Sequence, residues 1–440
     1  MKARFVLLLL CFALSGAVTY SADTLTISNA MTIALENNWG ITIAENESRV
    51  AEINNSLGNA GFLPSLDASA GRNRNVNNTY QKYFDGRERE GNNAVSNSIN
   101  AGVQLTWTIF DGFNMFIQKK KLTELELMSQ TQLRSVIENT IAQVIVAYYD
   151  IAVQERLTDV YFEAVQLSAE RKRFARAMID IGSGSELSYL QSAVDLNTDS
   201  AAYMQQLVIL ANSKAELNRL LCRDLMASFE VTSDIPLNNK LIYEHLWDLV
   251  QEQNPELMIA RRNISISSLD KKSYWSLVAP KINVNAGYNY NKSEAEVGFM
   301  MMNKNQGRAM GISLTWNLFD GLTKHDNIQV ARIREESARA EFDQAELNLK
   351  SELLRIYNEY LTNLQLVKFE LDNRELAMKN LEVAMEKYRI GAINDVDLRE
   401  TQQKMMDAET RYLLSQYRSK IAETELLRLS GQLSSENSST

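Results

Sequence analysis

The stretch Gln104-Leu105-Thr106-Trp107-Thr108-Ile109-Phe110-Asp111-Gly112 returns as Ser313-Leu314-Thr315-Trp316-Asn317-Leu318-Phe319-Asp320-Gly321, identical at six of nine positions and displaced by 209 residues. The displacement holds downstream, where Ile181-Gly182 falls on Ile390-Gly391 and Leu220 on Leu429. Upstream it becomes 216: Leu25 falls on Leu241, Asn38 on Asn254, Pro64 on Pro280 and Gly71 on Gly287. The difference of seven residues sits between Gly71 and Trp107, so one loop is longer in the first copy. A period near 200 is too long for a solenoid unit, and the chain reads as a duplicated half-protein with pseudo-twofold or ring-forming use. The first copy is expected over 22–235 and the second over 236–431, with a flexible tail at 432–440.

Within and around the quoted stretch the pattern has period two. Ile99, Ala101, Val103, Leu105, Trp107 and Ile109 alternate with Asn100, Gly102, Gln104, Thr106 and Thr108. Met310, Ile312, Leu314, Trp316 and Leu318 form a second apolar row, and Ile282, Val284, Ala286, Tyr288 and Tyr290 a third, set against amide-rich alternates. A weaker fourth strand runs from Leu66 to Thr79. Strands of about ten residues suit a tilted crossing of an outer membrane. Polar loops, Lys82 to Val95 and Lys292 to Arg308, are expected to join each pair, which argues against a two-sheet sandwich. Four strands cannot close a membrane barrel, since the smallest have about eight and open edges are not tolerated in lipid. The barrel must be shared between chains, and three chains giving twelve strands is favoured over two giving eight with a filled lumen.

Proline usage predicts the remainder. The chain has four, Pro64, Pro236, Pro255 and Pro280, so nothing interrupts long helices between Pro64 and Pro236 or after Pro280. Ile137, Ile141, Val144, Tyr148 and Ile151, and again Leu354, Tyr357, Leu361 and Leu364, are spaced as coiled-coil seams. From Phe113 to Asp180 there is no breaker, which at 1.5 Å per residue predicts a rod of roughly 100 Å. Pro64 and Pro280 stop an incoming helix and start a strand. Asp111 and Asp320 are placed to cap the outgoing helix, and Gly112 and Gly321 to turn the backbone into it. Phe110 and Phe319 are expected in a collar there; Trp107 and Trp316 read equally as collar or as an interfacial girdle.

Lys2 and Arg4, the apolar run Phe5 to Leu14 and the small residues after it read as a secretory signal peptide over 1–21. Once it is cleaved only Cys222 remains, so no intrachain disulfide is expected. With 55 acidic against 46 basic residues and no long basic run, no nucleic-acid partner is expected. His245 and His325 are the only histidines and read as solvated or satisfied. No Cys cluster, phosphate loop or nucleophile elbow is present, so neither an enzyme nor a cofactor or metal centre is expected. Met300-Met301-Met302 and Met310 lack a second ligand type and read as apolar filler.

Helix, proline, strand, loop, strand, Trp-x-[Ile/Leu]-Phe-Asp-Gly, long helix, Gly turn, long helix, all duplicated behind a signal peptide, resembles the TolC-like outer-membrane efflux channel family over essentially the whole mature chain. That resemblance implies a mainly α fold with membrane β: a homotrimer whose shared β-barrel spans the outer membrane lipid and continues as a coiled-coil α-helical barrel into the periplasm. It implies docking on a periplasmic membrane-fusion adaptor and an inner-membrane transporter, and passage of substrates to the outside by efflux or type I secretion. In the family, acids six and nine residues after the second turn's Gly narrow the entrance; here these are Asp397 and Glu400, with Asp395 as a further layer. Acids are also favoured at any helix N-terminus. Tyr388 takes the place of a Tyr that locks the closed tip, but its acidic partner is replaced by Ser188. Ile181-Gly182 and Ile390-Gly391 match the family's adaptor-docking tips. A diffusion porin, needing no rods, and a structural stalk, needing no lipid-facing strands, remain as alternatives.

Overall fold

The computed structural model describes residues 24–433; the expected signal segment and the residues from 434 on lie outside them. In chain order the elements are β1 (Thr24–Leu25), α1 (Ile27–Asn37), α2 (Trp39–Asn54), β2 (Ser65–Lys82), β3 (Glu88–Phe110), α3 (Asn114–Asp180), α4 (Glu186–Leu220), β4 (Glu230–Val231), α5 (Tyr243–Gln253), α6 (Pro255–Ser276), β5 (Lys281–Ala295), β6 (Met302–Thr315), α7 (Thr323–Arg389) and α8 (Asp395–Leu429). The duplication extends to length. α3 and α7 are 67 residues each, and α4 and α8 are 35 each. The breaker-free run after Gly112 does form one unbroken helix.

The elements fall into two compact units that cut across the sequence copies: one holds the described residues up to Ile43, Arg134–Asn254 and the residues from Asn348 on; the other holds Ala44–Leu133 and Pro255–Leu347. The second unit carries one four-stranded antiparallel sheet in the order β2-β3-β5-β6. Its strands, 18, 23, 15 and 14 residues long, exceed the ten expected. Much of what reads as polar loop is strand, because the ladder needs only backbone groups and is helped there by polar pairs such as Lys82 with Glu88 at 2.6 Å. The β2–β3 turn shrinks to residues 83–87.

In the first unit, the seam Ile141, Val144, Tyr148 and Ile151 of α3 is buried, and most of it joins Leu217 and Leu220 of α4 and the capping Leu221 in one apolar cluster. Two very short strands, β1 and β4, pair in parallel beside it. They were not legible in the sequence, being two residues each. Tyr148 fastens them: its hydroxyl donates to Leu25 O at 2.9 Å and accepts from Thr232 N at 3.0 Å. On α7 the buried row is Leu349, Leu353, Ile356 and Tyr360, one step from the predicted seam, whose Leu354 and Leu361 are exposed. Both rows have helical spacing; the first is buried within this chain, whereas of the predicted row Tyr357 packs on Tyr243 and donates to Leu241 O at 3.3 Å.

The residues that revealed the repeat also bind each other. Asn38, at the C-terminal end of α1, donates from Nδ2 to Leu220 O at 3.1 Å, and Asn254, at the end of α5, donates to Leu429 O at 2.9 Å. Each amide thus satisfies a carbonyl that the end of a long helix leaves without an intrahelical partner.

Candidate pore entrance and strand-to-helix joints

At the two joints the local chemistry is repeated. Asp111 Oδ1 accepts from Met115 N at 3.2 Å, and Asp320 Oδ2 from Lys324 N at 3.1 Å, so each carboxylate takes a free N–H of the first turn of a 67-residue helix. Gly112 and Gly321 have φ of +72° and +71°, and the next residues, Phe113 and Leu322, are also left-handed at +68° and +71°. Two successive positive-φ residues turn the strand sharply; the first is glycine in both copies, and the second, Phe113 or Leu322, holds the left-handed conformation at a cost in strain. Pro64 and Pro280 stand one residue before β2 and β5. The indoles tie the joint together: Trp107 Nε1 donates to Phe62 O at 2.9 Å, and Trp316 Nε1 to Val278 O at 3.0 Å, each carbonyl lying two residues before the copy's proline. The bonds to the joint favour the collar reading of the tryptophans. Phe110 packs edge-on against Phe113, whereas Phe319 is exposed.

The far ends of the hairpins close identically. Gly182 (φ +79°) and Gly391 (φ +75°) each follow an isoleucine and precede a residue whose N–H reaches back five positions, Ser183 to Met178 O at 2.9 Å and Ala392 to Lys387 O at 2.8 Å. Ile181 and Ile390, 74% and 80% exposed, are not used in packing the turn.

Asp397 and Glu400 lie exposed on the first turns of α8. Asp397 N donates to the capping Asn394 side chain at 2.9 Å. Glu400 is held by Lys404 one turn on, at 2.6 Å, which keeps its carboxyl below the usual range. Asp395 does not join them. It is buried and accepts from Arg171, Nη2 to Oδ2 at 2.6 Å and Nε to Oδ1 at 2.9 Å, so its charge is committed inside the hairpin tip and not to an entrance layer. Tyr388 is also buried, on Phe174 and Leu398, and burial together with the Asp395 carboxylate pushes its hydroxyl up to about 12. Among the described residues no hydrogen bond joins Tyr388 to Ser188; the acidic neighbour of Tyr388 is Asp395.

Around Arg171 lies a network that sequence reading missed. Arg171, 1% exposed, also reaches Asp195 at 3.0 Å; Arg399 holds Asp199 at 2.6 Å; and Ser168 Oγ donates to Asp199 Oδ2 at 2.5 Å. Three helices, α3, α4 and α8, are joined by these charges. Arg171 opens the run Arg171-Lys172-Arg173 and looks solvated. The available signal was the seam: Val160, Ala164, Ser168, Arg171 and Ala175 continue the buried line of α3. Both histidines are exposed.

Comparison with known proteins gives a consistent picture. The model of the family described as outer membrane efflux protein matches residues 30–223 and 246–432. Protein CyaE of Bordetella pertussis is 24% identical over 331 residues, which are 74% of this chain and 65% of that protein, a little under two thirds of its length. Outer membrane efflux protein BepC of Brucella suis is 18% identical over 428 residues, 96% of this chain and 89% of that one. The CmeC outer membrane channel of Campylobacter jejuni has the same fold, with a TM-score of 0.76 at 14% identity over 92% of this chain and 85% of its own.

Proposed function

The chain belongs to the outer membrane efflux protein family, whose place is the outer membrane, and from that premise we propose that three copies form the exit channel of an efflux or type I secretion assembly. The observation that carries this reading is the sheet: β2 and β6 are its two edges, and neither has a second neighbour among the described residues. An open edge in hydrocarbon leaves every outward-pointing N–H and C=O unsatisfied at a cost of several kcal/mol each, so closure must come from other copies. The two sequence copies, 22–235 and 236–431, then serve as six similar units around one axis. Ile181-Gly182 and Ile390-Gly391 offer exposed apolar tips to a periplasmic adaptor, which couples the channel to an inner-membrane transporter. Asp397 and Glu400 ring the entrance, and Tyr388 holds the closed tip through its contacts with Phe174 and Asp395. Native mass measurement of the purified protein in detergent tests the assembly, and single-channel recording tests the pore. A trimer with gated, cation-selective conductance is expected; a stable folded monomer overturns the reading, a steadily open pore makes the protein a porin, and no conductance makes it a stalk.

A further inference from the structure

The two copies obey one displacement rule, and the sheet already tests it. β2 pairs with β3 so that Ser65 faces Thr106 and Gly71 faces Asn100. Moving the first-strand residues by 216 and the second-strand residues by 209, the offsets read from the sequence, gives Lys281 facing Thr315 and Gly287 facing Ala309. β5 and β6 pair in that register. The central seam joins β3, the second strand of the first copy, to β5, the first strand of the second. Its counterpart joins β6 to a β2 that this chain does not supply.

Resting on the trimeric reading above, we infer that β6, prolonged through Asn317, pairs antiparallel with β2 of the neighbouring copy in the transposed register of the central seam: Gly311 opposite Asn73, Ser313 opposite Gly71, Thr315 opposite Ser69 and Asn317 opposite Asp67. Four features of the chain fit this pairing. In the occupied seam both glycines are hemmed in: a Cβ on Gly102 would come within 2.6 Å of Asn289 Oδ1, and one on Gly287 within 3.0 Å of Gln104 Oε1. Their counterparts, Gly311 and Gly71, have nothing within 4 Å, as expected of seats whose occupant is another chain. The asparagine that crowds Gly102 is kept at the transposed position as Asn73. At the joint the same contrast recurs: a Cβ on Gly112 would meet Ser276 O at 2.3 Å, whereas Gly321 is open.

The faces also match. This register sets Ala68 beside Trp316 and Ala70 beside Leu314 on the apolar face, and aligns Asp67 with Asn317 on the other, where Thr108 Oγ1 meets Asn283 Oδ1 at 3.0 Å in the seam. A slip of one residue would put apolar rows against polar ones. A slip of two preserves the faces but separates Gly311 from Asn73, and so is the competing arrangement.

Paired cysteines decide between them. In the full-length protein with Cys222→Ser, Ser69→Cys/Thr315→Cys places thiols on directly opposed positions, within disulfide reach, whereas Ser69→Cys/Ser313→Cys places them diagonally at roughly 7–8 Å. Mass measurement is made first, then mild oxidation and denaturing electrophoresis. A trimer in which the first pair converts the monomer band to covalent multimers, and the second does not, is the expected result. A trimer cross-linked by the second pair, or by neither, overturns the register and leaves the trimer standing. A monomer overturns both. As a second measurement, Gly311→Val should leave helical and strand content unchanged, since the space is open within the chain, yet lower the trimer's melting temperature; an unchanged melting temperature contradicts an occupied seat.

Discussion

Arg171 is a charge in a position shaped for an apolar side chain. It is tolerated because Asp395 and Asp195 neutralise it and Gln402 accepts a further bond at 3.4 Å. Removing one partner of a buried pair typically costs about 3–5 kcal/mol, since the other is left charged and unpaired. Arg171→Met should therefore lower the melting temperature and loosen the hairpin ends, seen as faster proteolysis near the tips; unchanged melting and cleavage would show the network to be solvated. The exposed acids behave differently. If Asp397 and Glu400 from three copies surround one axis, Asp397→Asn with Glu400→Gln should abolish cation selectivity and block by multivalent cations from the periplasmic side. Lys404 now offsets Glu400, so Lys404→Gln should sharpen both properties. Selectivity indifferent to all three substitutions would place these residues off the axis.

At the scale of elements, each long helix is begun by an aspartate and bent into place by a left-handed pair. Asp111→Ala and Asp320→Ala each remove a cap worth about 1 kcal/mol, and the assembled protein should melt at lower temperature with conductance retained; equal melting in both variants would mean that the first turns find other acceptors. These joints were legible because their chemistry is local: a proline, an aspartate and a glycine act through their own backbone or the next turn. The helices were legible for the same reason, lacking any breaker. Less was visible where partners come from far along the chain. The row of α7 that this chain buries was not singled out, because α7 carries two apolar rows and the sequence does not say which one the chain itself covers. Asp395 reads as one more acid at a helix start, and only the approach of Arg171, 224 positions away, separates it from Asp397. The strand ends were underestimated because polar pairs sustain a ladder without an apolar row.

For the molecule as a whole, matching lengths follow from ring geometry. Two helices of 67 residues and two of 35 arise from segments that share few identical residues, so length has been held where side chains have not. Seven residues inserted in α3 alone would displace every contact beyond that point by roughly 10 Å of rise while the other copy stays put. Such a variant should fail to assemble, and heptads added at matched heights in α3, α4, α7 and α8 should restore trimers by mass; assembly of the single-insertion variant would show the rods to be independent. The equality thus bears on ancestry as well as on shape. Within this chain the two halves of the gene differ in spelling but agree in measure, so a change of rod length that keeps them matched has to be written twice, once in each half.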